Sequence, residues 1–448
     1  MTRASLALLL GSIAGLLAAL QPISDTDMWW HLATGRETLA SGFVRTDIFS
    51  WTIPGAPVTT DQWLGQILMY LCYLAAGWRG IAILRVLLVT ALVALTAWSA
   101  AGRTARPLAI VLATLPAMFL TRAIAVDRPE LLGFVCFAAL LVLVRSARAG
   151  HRAALVAIVL LMGIWTNVHG SFALGAVVTV IACVEGALSD ALLRRDYLVC
   201  AVAALAVTLV DPAGLGSWTA PGIHLLSPPR AIQEWNVIDV RTPLGLTYAA
   251  TLALVIARVF LGPRVPRSEL VVLVPIAFLS LTAARQAPLL GIAAAPLLAE
   301  GVHLLLRRLP ASASTRRAAT LVGAGSAIVL VVALFATPIA PEISAYPVAA
   351  LSSIPTGDGV LARYEWGGWL IWSGIPVFVD GRLTPYRGAV LDDYSRVLAA
   401  APGWRDVIAR RGVRMLLVAP SDPVAVRASE LGWSVRTRSN NVILIAVP

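Results

Sequence analysis

Apolar runs of about 15 to 22 residues, rich in Leu, Ala and Val, recur along most of this 448-residue chain and limit what it can become. A run of that length crosses the hydrocarbon of a bilayer as a helix. Backbone groups in lipid have to be satisfied within the protein, which leaves helices or a closed barrel. Barrel strands would be about 10 residues long and would alternate polar with apolar residues, which these runs do not do. Composition agrees: 58% of the residues are hydrophobic and 13% charged, against about 25% charged in a soluble domain. The four cysteines, Cys72, Cys136, Cys183 and Cys200, lie in apolar stretches without metal-ligand spacing and read as small apolar residues.

Spans are expected at 4–20, 84–101, 107–121, 130–145, 153–166, 171–187, 197–210, 243–260, 270–284, 287–304 and 319–338. The first has signal-peptide polarity. No small-x-small cleavage pattern precedes Gln21-Pro22, and further spans follow, so it reads as retained. Residues 61–77 are apolar enough to span, and the arginines arbitrate. The net charge is +11, and every one of the 35 basic residues is Arg. With 61–77 laid along the outer interface, Arg103, Arg106, Arg145, Arg148, Arg152, Arg194, Arg195, Arg307 and Arg308 all face one side. That is the positive-inside pattern, and it gives about eleven spans, with the N-terminus inside and the C-terminus outside. The expected location is a multi-pass protein of the cytoplasmic (inner) membrane. The basic balance then belongs to the lipid bilayer and its anionic headgroups, not to nucleic acid.

Near Pro341 the composition changes and no further span is possible. Strands are expected at Gly359–Leu361, Pro376–Val379, Val413–Ala419 and Val442–Val447, and helices at Gly388–Ala400, Gly403–Arg411 and Ala425–Leu431. The expected class is an all-α polytopic membrane bundle with a C-terminal extracytoplasmic α/β domain. The boundaries are 1–340 for the transmembrane domain, with a long first outer loop at 21–83, and 341–448 for the soluble domain.

Charged and polar residues collect where spans meet the outer side. Asp25-Thr26-Asp27 follows the first span directly and leads into Met28-Trp29-Trp30-His31. A helix starting near Asp25 puts Asp27 and His31 on one face, with Trp29 and Trp30 at headgroup level. The plain reading, capping by Ser24 or Asp25, is compatible with a functional carboxylate. The next outer turn holds Arg122, Asp127, Arg128 and Glu130. Trp165-Thr166-Asn167-Val168-His169-Gly170 is a polar turn between two spans, where unpaired Asn and His are costly. Glu234 lies in a later outer loop, and Arg285 lies between two spans. Each has a plain structural reading as an interface marker, satisfied turn or snorkelling anchor. Phosphate loops, dinucleotide fingerprints, zinc spacing and nucleophile elbows are missing from the sequence.

Taken together, the Asp25-Thr26-Asp27 pair, the long first loop with Gln62-Trp63-Leu64-Gly65-Gln66 running on to Gly77, Arg85 and Asp127 resemble the C-type superfamily of integral-membrane glycosyltransferases, GT-C, over residues 1–340. The turn around Asn167 and His169 resembles a narrower group of bacterial membrane proteins left uncharacterised. So do Tyr364-Glu365-Trp366-Gly367-Gly368-Trp369 and Val379-Asp380-Gly381-Arg382. No long Trp-Trp-Asp-Tyr-Gly-type domain is present, which argues against an oligosaccharyltransferase.

The resemblance implies a hexosyl or pentosyl donor on polyprenyl phosphate and a glycan, lipid or protein acceptor. It implies inverting transfer on the extracytoplasmic face and a first-loop carboxylate as general base. The catalytic candidates are then Asp27, Asp25 and His31. Arg285, Arg122, Asp127, Arg128, Asn167, His169 and Glu234 are candidates for the donor phosphate or substrate. Some members use a divalent metal, Mg or Mn, for which Asp25 and Asp127 are the acidic candidates.

Two other readings compete. A transporter or lipid flippase would place ionisable residues at the bilayer midplane, whereas here they gather at span ends. A non-catalytic cell-envelope assembly protein would need no base at all.

Overall fold

The computed structural model describes residues 2–124, 127–226, 233–307, 340–354, 357, 359–382, 384–386 and 388–448. The span expected at 319–338 lies outside these residues. The chain forms two compact units. The first comprises Met1–Pro22 with Ala75–Ile339, and the second comprises Ile23–Leu74 with Ala340–Pro448. The sequence boundaries placed the first loop with the membrane domain; here most of that loop is part of the C-terminal unit.

The first unit is helical. Each span expected up to residue 304 coincides with a helix: α1 Arg3–Ala19, the second part of a broken helix Trp63–Ala101, α4 Pro107–Ile124, α5 Glu130–Arg148, α6 Ala153–Val168, α7 Phe172–Ser189, α8 Arg194–Val207, α10 Pro243–Leu261, α11 Arg267–Thr282 and α12 Ala287–Leu306. The broken helix is α3, α9 is Thr219–Leu226, and α2, Met28–Ser41, belongs to the second unit. By length and composition, five helices among the described residues can cross a membrane, those starting at Trp63, Glu130, Phe172, Pro243 and Ala284. Arg3–Ala19, Pro107–Arg122 and Ala153–Val168 are shorter apolar helices.

The break in α3 falls at Ala76 and Gly77, where Gly77 takes φ 59° and ψ −141°, a backbone region costly for any residue with a Cβ. It separates the segment assigned to the interface from the segment assigned to the second span.

Small residues let the helices of this unit approach closely, as lipid-embedded packing requires. A Cβ on Gly291 of α12 would stand 2.8 Å from Cα of Ala117 on α4, and Gly11 and Gly15 of α1 face Thr90 and Val86 of α3. α12 is buried from Ala287 to Ala299.

The second unit holds a four-stranded sheet of β1 Val360–Ala362, β2 Met415–Val418, β3 Val435–Arg438 and β4 Ile443–Ala446, in the order β1-β2-β4-β3. β1 and β2 are parallel, and the other pairs are antiparallel. Helices α13 Tyr364–Trp372, α14 Ala389–Leu398, α15 Trp404–Arg411 and α16 Pro423–Glu430 accompany it. Leu361, Phe378, Val397, Leu416, Val418, Val424 and Ile445 form the core, and Trp51 and Ile53 of the first loop pack onto it.

One expectation for this unit is corrected, and two elements are additional to it. Pro376–Val379 is not a ladder strand. Val377 exchanges two backbone hydrogen bonds with the first loop, its N–H to Phe49 O at 3.0 Å and its C=O from Trp51 N–H at 3.1 Å. β3 and α13 were not expected. β3 is an exposed edge strand bearing Arg436 and Arg438, so it lacks an apolar pattern. α13 contains Gly367 and Gly368, poor helix formers that tertiary packing overrides. A Cβ on Gly367 would meet Asp380, and one on Gly368 would stand 2.8 Å from Thr26 O.

Candidate functional site

Asp25, Asp27 and His31 belong to the second unit. Arg122, Asp127, Arg128, Asn167, His169, Glu234 and Arg285 belong to the first.

In the second unit, Asp25 is buried, and its Oδ1 accepts the Asp27 backbone N–H at 2.9 Å. This is the local bond of an Asx turn, which Asp favours ahead of a helix. α2 begins later than expected, at Met28, with Asp27 at its N-cap; the Asp27 side chain makes no capping bond. It is half-buried and lies against the turn of Asp380, Gly381 and Arg382. A Cβ on Gly381 would overlap Asp27 Oδ1 and stand 2.8 Å from its Cγ and 3.3 Å from Trp30 Nε1. Glycine is required here by close approach.

Trp29 and Trp30 are 2% and 8% exposed, so they are packing residues and not an interfacial belt. Trp29 meets the edge of Tyr346 at 5.5 Å, and Tyr346 stacks on Trp369 at 5.7 Å. Burial pushes the Tyr346 phenol up, and the nearby Asp25 and Asp27 charges push it further. His31 is buried against Trp30, with its Nδ1 3.3 Å from Gln66 Nε2. That amide donates, which places the imidazole proton on Nε2.

The turn carrying Gly381 is fixed by a buried charge network. Arg382 spans Asp47 of the first loop at 2.6 Å and Asp380 at 2.7 Å, and both carboxylates are fully buried. Tyr386 Oη donates to Asp380 and accepts from Arg382 at 2.7 Å. Burial opposes the charge on Arg382, but Asp380 foremost and Asp47 outweigh it and hold its pKa up.

In the first unit, four charges interlock. Arg285 donates to Glu130 Oε1 from Nε at 3.1 Å and from Nη2 at 2.8 Å. Its Nη1 reaches Glu234 Oε1 at 3.2 Å, and Arg128 Nη1 reaches the same oxygen at 3.3 Å. Trp235 lies 4.4 Å from the Arg285 guanidinium carbon, a cation–π contact. His169 is close by. Burial first, then Arg285 and Arg128, lower its pKa to about 3, so the ring is neutral near pH 7. Its Nδ1 accepts the Ser171 N–H at 3.1 Å, and Ser171 Oγ accepts from Trp165 Nε1 at 3.0 Å.

Asn167 sends its amide to Gly163 O at 2.8 Å and Val210 O at 3.0 Å, the bonding of a helix joint. Asp127 is buried on Arg85 at 2.8 Å, and Arg85 also donates to the Gln21 and Pro22 carbonyls at the end of α1. Arg122 is exposed at the end of α4.

The residues do not fit a resident metal. Among the described residues no group of three His, Cys, Asp or Glu side chains is placed to hold an ion. Asp127 already has a guanidinium partner, and Asp25 binds a backbone N–H.

Tyr346 and Asp47 were not among the site candidates, and the pairing of Glu130 with Arg285 was not expected. Glu130 lies 155 residues from Arg285 in sequence and has no local signal of that pairing.

No protein-family model and no curated protein matches the chain. Solved structures do. The oligosaccharyltransferase of Archaeoglobus fulgidus aligns with a TM-score of 0.60 at 12% identity, covering 93% of this chain and 69% of that one. The same archaeal enzyme, AglB, in complex with an inhibitory peptide and a dolichol-phosphate, aligns at 0.56. ArnT from Cupriavidus metallidurans, bound to undecaprenyl phosphate, aligns at 0.53 and 13% identity, covering 97% of this chain and 96% of that one. The likeness shows that this chain shares the fold of these two membrane proteins.

Proposed function

We propose that this protein is a membrane glycosyltransferase that transfers a sugar from a polyprenyl phosphate to an acceptor on the extracytoplasmic face. The observation that carries the reading is the state of the Asp25–Asp27 pair on this fold. Asp25 spends an oxygen on a backbone N–H, while Asp27 sits at a helix start without capping it. Asp27, which lies against the turn of Asp380, Gly381 and Arg382, is the carboxylate assigned to proton transfer.

Asp27 takes the proton of an acceptor hydroxyl as that oxygen attacks the anomeric carbon from the side opposite the phosphate. The bond between the sugar and the phosphate oxygen breaks, the lipid phosphate leaves with the electron pair, and the configuration inverts. Arg285 and Arg128 receive the charge that develops on the phosphate. Glu130 fixes the plane of Arg285 with two bonds. Glu234 is the looser partner of both arginines and is the group that phosphate displaces. The ligands of AglB and ArnT support a polyprenyl-phosphate donor. The donor sugar is a hexose or pentose, and the acceptor a glycan, lipid or protein.

The test is covalent. Purified protein given a labelled polyprenyl-phosphate sugar and an envelope acceptor fraction forms a labelled acceptor. A flippase would move donor across a vesicle and form none. Arg285→Lys keeps the charge but loses the planar fork, so donor affinity falls about tenfold, in line with loss of a charge-assisted bond. Unchanged affinity at normal protein levels would reduce Arg285 to an anchor.

The proposed topology has eleven spans in the cytoplasmic membrane, with the second unit outside. Reporters fused after residue 150 then read cytoplasm, and those after 440 read the outside. A cytoplasmic signal at 440 overturns the span count.

A further inference from the structure

A cleft between α5, α11 and α12 has no part in the proposed reaction. Its walls are Leu141, Leu273, Ala293 and Leu297, and two arginines of the last turn of α5, Arg145 and Arg148, stand on its rim. Residues three apart on a helix share a face, so both guanidiniums border the same opening.

Charge is left over here. Glu269 is paired with Arg103, and Glu185 lies 3.2 Å from Arg148. Arg145 has no carboxylate within ion-pair distance among the described residues; its guanidinium bonds the Ser99 hydroxyl. The buried Nε of Arg148 has no acceptor among the described residues. An uncompensated guanidinium and an orphaned buried donor are both costly in a setting this apolar.

We infer that this cleft binds the headgroup of an anionic phospholipid, with its phosphate on Arg145 and Arg148 and an acyl chain along Leu141 and Leu273. One phosphate supplies both what Arg145 lacks, a counter-charge, and what Arg148 Nε lacks, an acceptor. Arginine suits phosphate because its donors match two oxygens at once. The apolar floor selects an amphiphile over a free ion. Basic pockets between membrane helices on the side rich in arginine are where anionic headgroups collect.

The experiment follows thermal unfolding of the full chain, purified in neutral detergent, against short-chain phosphatidylglycerol, phosphatidylcholine or inorganic phosphate. A ligand that binds the folded state raises the unfolding temperature. Phosphatidylglycerol raises it saturably, and the other two do not. Arg145→Gln weakens that response about fivefold, the size expected for one basic contact. Ala293→Phe fills the cleft without changing charge and weakens it as well. Arg152→Gln, which removes an exposed partner of Asp196 away from the cleft, leaves it intact. The inference is overturned if both cleft variants respond like the wild type, if inorganic phosphate matches the lipid, or if phosphatidylcholine does. None of these readings depends on glycosyl transfer.

Discussion

Asp27→Asn lowers sugar transfer by a factor of at least about 100, within the range of about 10² to 10⁴ that a general base contributes. Asparagine keeps the size of the side chain and most of its hydrogen bonding but cannot take a proton. It fits the space beside Gly381 that the carboxylate occupies, so folding and insertion are retained. Asp25→Asn costs less. Its amide oxygen still accepts the Asp27 N–H, as the Asp25 Oδ1 does. The check is initial transfer rate at equal amounts of inserted protein, for both single variants and the double variant. A larger loss at Asp25 than at Asp27 reverses the assignment. Near-normal transfer in all three reduces both carboxylates to helix-start residues.

Arg382→Ala lowers the stability of the second unit by about 3–5 kcal/mol, the usual cost of leaving a buried charge without its partner. Two carboxylates depend on this guanidinium, Asp47 and Asp380, and neither reaches solvent. Tyr386 donates to Asp380 but brings no positive charge. Arg382→Lys falls between the wild type and the Ala variant, because one ammonium cannot hold both carboxylates with a planar fork. Thermal unfolding of the full chain, together with protease cutting in the loop around Asp47, measures the effect. Wild-type unfolding in the Ala variant would mean that the network contributes nothing.

The membrane helices were legible because hydropathy and length act locally. A run such as Ala153–Val168 has to be a helix whatever surrounds it. The break at Gly77 was legible in the same way, as the end of one apolar segment before another. The composition of the second unit was not. Its core needs Trp51, and Val377 takes its hydrogen bonds from Phe49 and Trp51, some 326 residues earlier in the chain. No local periodicity carries that pairing. α13 was hidden for a related reason. Its glycines argue against a helix in isolation, and they are there because Thr26 and Asp380 press on that helix.

At the site, the local bond from the Asp27 N–H to Asp25 was legible in their order before a helix. The Glu130–Arg285–Glu234–Arg128 lattice did not, since its members come from three distant segments. Trp29 and Trp30 show the reverse error. An aromatic pair beside a span reads as an interfacial belt, but here Tyr346 and Trp369 of the C-terminal segment cover that region.

A transferase of the proposed kind breaks the bond between a sugar and a polyprenyl phosphate. The direct measurement is release of free polyprenyl phosphate from a labelled polyprenyl-phosphate sugar by the purified full chain, with acceptor present and Asp27→Asn alongside. Lipid phosphate and glycosylated acceptor appear in equal amounts with the wild type, and about a hundredfold less of both with the variant. Binding of the donor by both proteins with no release from either would contradict the proposed transfer.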